Sequence, residues 1–353
     1  MAVSIDRLIG IARERRASDI HITAARNPVF RIDGTLLETE FDMTLEQKNH
    51  LIYSMLNEGQ RASFERGDDV DMCYTMSDGQ RQRVNVYRQQ KNVTAAIRII
   101  NNEIRSFEEL RLPEVLKQLA VEPRGLVLVT GPTGSGKSTS LAAMVDYVNR
   151  NRACHIITIE DPVEYVYTQK MAFIHQRDVG IDVTSFSAAL RSAMREDPDV
   201  ILVGEMRDHE TISAAITAAE TGHLVLSTLH TTGAAATVDR IVDVFPPENQ
   251  QQIRTQLAST IKGVITQTLL PRSGGKGRVA GFEVMTGTDA VLSLIRDGKG
   301  HQLNSTIQMS AKQGMVLLDD YLAKLVRSGE VTMEHALEKA NDRTGLMSMV
   351  RGG

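Results

Sequence analysis

Apolar and polar residues keep one rhythm over the first hundred positions and another after residue 125. Ile5, Leu8, Ile9 and Ala12 recur at helical spacing and predict an amphipathic helix over residues 4–16. Ser18-Asp19-Ile20-His21-Ile22 alternates as a strand with one buried face does. Val29-Phe30-Arg31-Ile32 and Leu36-Leu37 flank Asp33-Gly34, a pair that readily takes the positive φ angles of a two-residue hairpin turn. Thr44, with Gln47 three residues on, forms a capping-box pattern opening a helix that carries Leu45, Leu51, Ile52 and Met55. Val70 to Met76 and Gln80 to Gln90 flank a second turn, Asp78-Gly79, and another strand runs from Val93 to Ile100. Hairpins and isolated helices in this order predict a small α+β domain over residues 1–100.

Residues 101–124 are charged and contain Pro113 and Pro123, and they read as an interdomain linker and hinge. Beyond them the strands become continuous apolar runs, Leu126–Thr130, His155–Ile159, Val200–Val203 and Leu224–Thr228, as in strands buried on both faces. Helical patterns fall between and after them, over 137–150, 185–195, 208–221 and 233–244. Asp208 suits an N-cap and Gly222 a left-handed helix end. Pro246-Pro247 stops one helix, and Glu248 starts the next. Val264–Leu270 and Val279–Val284 flank a turn at Ser273-Gly274-Gly275-Lys276-Gly277 and predict an antiparallel pair. Residues 288–350 read as helices capped at Thr288 and Thr332. Strands alternating with helices over 125–353 predict an α/β domain with a mostly parallel sheet.

The first of those buried strands runs into Gly131-Pro132-Thr133-Gly134-Ser135-Gly136-Lys137-Ser138-Thr139, which fits G-x-x-x-x-G-K-[ST]. The glycines let backbone N–H groups curl around a phosphate chain, and the following helix adds the partial positive charge of its N-terminus. Lys137 would reach the β- and γ-phosphates and Ser138 would ligate Mg²⁺. Strand, glycine-rich turn and helix in that order make the match specific.

Other groups fall at the C-terminal ends of the neighbouring strands, where open α/β sheets bind ligands. Glu160, Asp161 and Glu164 follow one strand, and any of them could order a metal ion or the water that attacks the γ-phosphate. Val200-Ile201-Leu202-Val203-Gly204-Glu205 is an apolar run ending in an acid, the pattern that places a carboxylate such as Glu205 beside Mg²⁺. His230 ends the fourth strand, where it could sense the γ-phosphate. Phosphoryl transfer also asks for a cation beyond Lys137. Arg81 and Arg83, on one face of a strand opposite Val84 and Val86, and Arg98 are candidates supplied by the first domain on closure of the hinge.

Composition narrows the class. The chain has 353 residues, net charge −4, 4% aromatic residues and no Trp, which speaks against base-stacking platforms and against a nucleic-acid motor. Cys73 and Cys154 lack metal-ligand spacing and read as apolar fillers in a reducing compartment. Met1 to Arg16 does not read as a signal peptide, and no apolar run reaches the roughly 20 residues of a membrane span. The expectation is a cytoplasmic protein whose membrane association is peripheral.

Several stretches together resemble the secretion ATPase superfamily, and within it the PilT-type retraction ATPases of type IV pili. They are Ser18–Ile22, the phosphate loop, Ile159–Tyr165, the run Arg195-Glu196-Asp197-Pro198-Asp199 through Asp208, and Gly222 through Thr231. The resemblance implies a PAS-like first domain, a RecA-like ATPase domain, a homohexameric ring using ATP and Mg²⁺, and action on the inner-membrane platform protein of the pilus machine. It also makes Glu164 the general base, with Glu205 as the Walker-B acid and Glu160 in support. Assembly ATPases of the superfamily resemble longer chains with an extra N-terminal domain and usually a four-cysteine zinc site; this sequence opens on the PAS-like pattern and has two cysteines, so the expectation is retraction rather than extension. Ala290–Lys299 is similar to a motif of retraction enzymes in its second half, while Val291, Leu292 and Ser293 differ, so an accessory retraction ATPase of the PilU type is an alternative.

Overall fold

Alternation in the first hundred residues produces one antiparallel sheet. The computed structural model describes residues 4–32, 34–100, 103–275 and 277–351. It contains two units, Met1–Glu103 with Pro162–Val166, and Ile104–Asp161 with Tyr167–Gly353. The strands of the first are β1 (Ala17–Ile22), β2 (Val29–Ile32), β3 (Thr35–Glu38), β4 (Val70–Thr75), β5 (Arg81–Gln89) and β6 (Asn92–Ile99), in the order β3-β2-β1-β6-β5-β4. The helix Ile5–Glu14 buries the four apolar residues that its spacing singled out. They join Ile20, Ile22, Phe30, Val84, Val86 and Ile97 in one core.

Burying Gln82, Val84 and Val86 turns Arg81 and Arg83 to the other face of β5. Arg83 there stands directly opposite Arg98 of β6. Like charges so opposed repel. Each has an acid beside it: Arg83 Nη2 is 2.7 Å from Asp71, and Arg98 Nε is 3.2 Å from Asp19.

Some details differ from the sequence expectations. Leu45 opens its helix from an exposed position, while Lys48 is buried and donates to the carbonyls of Ala24 and Arg26 at 3.3 and 2.7 Å. A long aliphatic stem lets a lysine fill an apolar site once its ammonium finds carbonyl acceptors. The helix Glu58–Arg66 buries only Phe64, too little for an apolar period to announce it. Cys73 is no simple filler, because its Sγ accepts a hydrogen bond from Arg81 Nε at 2.9 Å. Asp33 of the first turn lies outside the described residues.

Asp6 ties the first helix to the second hairpin, accepting from Tyr74 Oη at 2.8 Å and from the Ser77 N–H at 2.9 Å. Burial pulls the Asp6 carboxyl upward, but the bonds from Ser77 and Tyr74 outweigh it and hold it below the ordinary aspartate value. Burial and the same bond push the Tyr74 phenol up to about 12. A folded-state value below the unfolded one means stability that is present above the unfolded pKa and lost as pH falls through the folded one. Asp6→Asn will therefore cost this unit about 1 kcal/mol at pH 7. The gap to the parent chain will close below about pH 4, as read by denaturant unfolding at several pH values.

In the second unit the continuous apolar runs form β7 (Gly125–Thr130), β8 (His155–Glu160), β9 (Phe173–Asp178), β10 (Val200–Val203), β11 (Leu224–Leu229), β12 (Ile261–Pro271) and β13 (Arg278–Thr286). Their order is β13-β12-β7-β11-β10-β8-β9, and every neighbouring pair is parallel except β12 with β13. Every residue of β7, β10 and β11 is buried. Ile157, Ile159, Ile201, Val203 and Val225 meet Leu190, Ile212 and Ile216 of the covering helices in the main core. This is the RecA-like α/β unit preceded by a smaller α+β unit that the sequence implies.

The strand β9 was not anticipated, because it is a polar edge strand with Phe173 half exposed. From Ile104 onward, the stretch expected as a hinge is packed into the second unit. Phe107, Leu116 and Leu119 are buried, and the Phe107 ring lies 5.2 Å from that of Tyr147. Residues 101–102 lie outside the described ones. Pro247–Asn249 forms a short 3₁₀ turn, so the next helix starts at Gln250 rather than Glu248. Thr288 sits at its helix start with a buried hydroxyl that caps nothing.

Glu283 of β13 is 3% exposed and caps two helices from outside both. It accepts from the Ala234 N–H at 2.8 Å and the Leu318 N–H at 3.4 Å, and neither Ala234–Asp243 nor Leu318–Arg327 has a capping side chain of its own. Burial pushes this carboxyl up, against the two backbone donors that favour its anion. No helix among the described residues is long and apolar enough to cross a membrane.

Candidate nucleotide site

The loop after β7 departs from strand geometry at Gly131, whose φ is 134°, and enters the helix Lys137–Asn151 through Gly136, whose φ is 93°. Both values lie where only glycine is comfortable. Because Gly136 is the N-cap, no side chain covers the first N–H groups of that helix. They and the helix dipole are what a phosphate chain binds. Pro132, Thr133, Gly134 and Ser138 are exposed, Thr139 is half-buried, and Ser135 is buried with an Oγ that has no hydrogen-bond partner among the described residues.

Lys137 is 8% exposed and curls over the loop, donating to the carbonyls of Gly131 at 2.8 Å and Pro132 at 3.1 Å. Burial pulls its ammonium below the ordinary lysine value, and the Glu205 carboxylate pushes it back up. The lysine and the acid after β10 thus share one electrostatic environment.

The sheet order places β11 between β7 and β10, with β8 next. The phosphate loop, His230, Glu205 and Glu160 therefore follow four adjacent parallel strands at one edge. Cross-strand bonds beyond the ladder fix this edge: Thr228 Oγ1 donates to the Gly204 carbonyl at 2.7 Å, and the Met206 N–H to the Thr228 carbonyl at 3.1 Å. Register and these bonds bring Glu205 and His230 together, with His230 Nε2 3.5 Å from Oε2. Arg207 Nη2 is 2.7 Å from Oε1 of the same acid. Glu160 Oε1 accepts from Thr158 Oγ1 at 2.7 Å and Gln176 Nε2 at 3.5 Å.

Asp161 is exposed just past β8, and Glu164 is half-buried in Pro162–Val166, the segment belonging to the first unit. Arg81, Arg83 and Arg98 share one face of the first sheet. Within one unit, then, Lys137, Glu205, His230 and Glu160 gather at one edge, while Glu164 and the three arginines stand in the other. Sequence reasoning passed over Arg207, whose place beside Glu205 follows from no motif spacing, and Gln267 of β12, which lies against the back of the loop.

The type II/IV secretion system protein family matches residues 1–289. The type IV pilus retraction ATPase PilT of Pseudomonas aeruginosa is 48% identical over 96% of this chain and 98% of its own length. The type IV pilus ATPase PilU of the same organism is 38% identical over 99% and 92%. A crystal structure of the pilus retraction motor PilT with bound ADP superposes with a TM-score of 0.92 at 45% identity, covering 98% of this chain and 99% of that one. The chain belongs to the type II/IV secretion system protein family and is one of its ATPases.

Proposed function

We propose that this ATPase drives retraction of type IV pili as a homohexameric, Mg²⁺-dependent motor, cytoplasmic and peripheral to the inner membrane, acting on the membrane platform protein of the pilus. The observation carrying this reading is the near full-length likeness to PilT at 48% identity. Deleting the gene and counting surface pili tests it. More pili with loss of twitching is the expected result, whereas cells without pili would make the enzyme an assembly ATPase. An accessory role of the PilU kind is the second reading, favoured by the differences at Val291, Leu292 and Ser293. It predicts that a separate retraction ATPase remains essential.

In the proposed reaction the phosphate loop and Lys137 hold the β- and γ-phosphates. Water adds to the γ-phosphorus while the bond to the ADP oxygen breaks, and Glu164 accepts the proton of that water. Glu160 supports Glu164, and His230 reports the state of the γ-phosphate to Glu205. The Ser138 hydroxyl and the Glu205 carboxylate are hard oxygen donors that suit Mg²⁺, which usually completes its shell with phosphate and water and would neutralise charge on the phosphates. Arg81, Arg83 and Arg98 would meet the charge developing on the γ-phosphoryl group once the first unit closes. Arg83→Ala and Arg98→Ala will each lower kcat by about 10- to 100-fold, a share of what an arginine finger supplies. Full turnover in both variants, with unchanged thermal unfolding, would remove the arginines from the mechanism.

A further inference from the structure

A phosphate loop with glycines at both ends has no preferred shape of its own, and ordering it costs conformational entropy. Something outside the loop has to hold it, and one residue of β12 meets the loop at two points and the helix after it at a third. β12 pairs with β7 up to Thr266 opposite Thr130, so Gln267 is the first residue running alongside the loop itself. Its main-chain oxygen lies where a methyl carbon on Gly131 would come within 2.2 Å of it. Its Nε2 lies where a methyl carbon on Gly136 would come within 2.7 Å. Its Oε1 accepts from Ser140 Oγ at 2.7 Å, and Ser140 is the residue whose N–H closes the first helical turn onto the Gly136 carbonyl at 3.0 Å.

Gln267 and Ser140 are 3% and 1% exposed. A carboxamide at a strand position flanked by buried Val264, Ile265 and Leu270 is costly unless it is bonded, and Ser140 supplies that bond. Thr266, its neighbour on the opposite face of β12, bonds Thr130 Oγ1 at 2.9 Å and accepts from the Gly233 N–H at 3.2 Å. β12 is therefore polar where it borders the loop and apolar elsewhere along its buried length.

We propose that Gln267 is a positioning residue of the nucleotide site. It closes the two glycine ends of the phosphate loop against β12 and, through Ser140, sets the rotation of the helix whose first N–H groups face the phosphates. The inference rests on the phosphate-loop reading of residues 131–139.

The test uses the full chain with Gln267→Met, which keeps the length and loses the amide, with Ser140→Ala, which deletes one oxygen from the other side, and with both together. Each single variant is expected to raise the KM for ATP and the dissociation constant of a fluorescent N-methylanthraniloyl ADP by about five- to tenfold, the scale of one buried hydrogen bond. The change in kcat is expected to be smaller, about twofold, because the loss is in holding the phosphates rather than in bond cleavage. The double variant is expected to be no worse than the poorer single, since both break one link. Unchanged KM and ADP affinity in the singles, or losses that multiply in the double, would overturn the proposal. Lys137→Ala separates the two levels of failure: retained turnover there defeats the loop reading, while lost turnover beside unaffected Gln267 and Ser140 variants defeats only this inference.

Discussion

Lys137→Ala will reduce ATP turnover by about 10³-fold or more, the upper end of what one preorganised cation or donor contributes at a reacting centre. Lys137 is 8% exposed, and its ammonium donates to two loop carbonyls within the field of Glu205. It therefore rests against the loop, largely out of water, before any phosphate arrives, and it has only to exchange loop carbonyls for phosphate oxygens. Alanine removes the charge and leaves the glycine-lined loop in place, because the contacts with Gln267 and Ser140 do not involve Lys137. The variant will unfold at nearly the same temperature as the parent while its steady-state phosphate release falls to background. Turnover within threefold of the parent would mean that the triphosphate binds elsewhere on the chain.

Glu164→Gln will lower kcat by about 10²–10⁴-fold, the range of a general base, with little change in ATP affinity. Glutamine keeps the shape and cannot take a proton. Glu160 and Glu205 serve as internal controls. Glu160 already accepts from Thr158 and Gln176, so Glu160→Gln will act mainly on local geometry and cost less. Glu205 is the carboxylate proposed to hold Mg²⁺, so Glu205→Gln will show itself as a raised Mg²⁺ requirement in a metal titration. If Glu160→Gln proves more damaging than Glu164→Gln in single-turnover measurements, the base is Glu160.

These predictions could be framed from the sequence because the parts of the site proposed to hold phosphate are written in local chemistry. Three glycines, a lysine and a serine at fixed spacing, and apolar runs ending in Glu160, Glu205 and His230, need only neighbouring residues to be read. The helix Ile5–Glu14, the hairpin about Asp78-Gly79 and the capping box at Thr44 and Gln47 were legible for the same reason. What escaped depends on partners distant in the chain. Lys48 is buried because the carbonyls of Ala24 and Arg26, 24 and 22 residues back, give it acceptors, and no local pattern announces that. The edge strand β9 carries no apolar alternation because only one neighbour holds it. Prolines and charge made 101–124 look like a hinge, although Phe107, Leu116 and Leu119 are core residues. Gln267 stands 127 positions after Ser140, and no sequence spacing joins them.

The double cap at Glu283 has a consequence for anyone shortening this protein. A chain cut before Leu318 would remove one of the two backbone donors of Glu283 together with the helix packed on its strand, leaving the carboxylate on the Ala234 N–H alone at a newly opened face of β13. The damage would surface three residues after Thr231, in the helix following His230 at the edge that carries the proposed site. C-terminal truncation is thus a way of disturbing nucleotide chemistry from the far end of the polypeptide, and loss of activity in such a fragment is no proof that the removed helices touch the ligand.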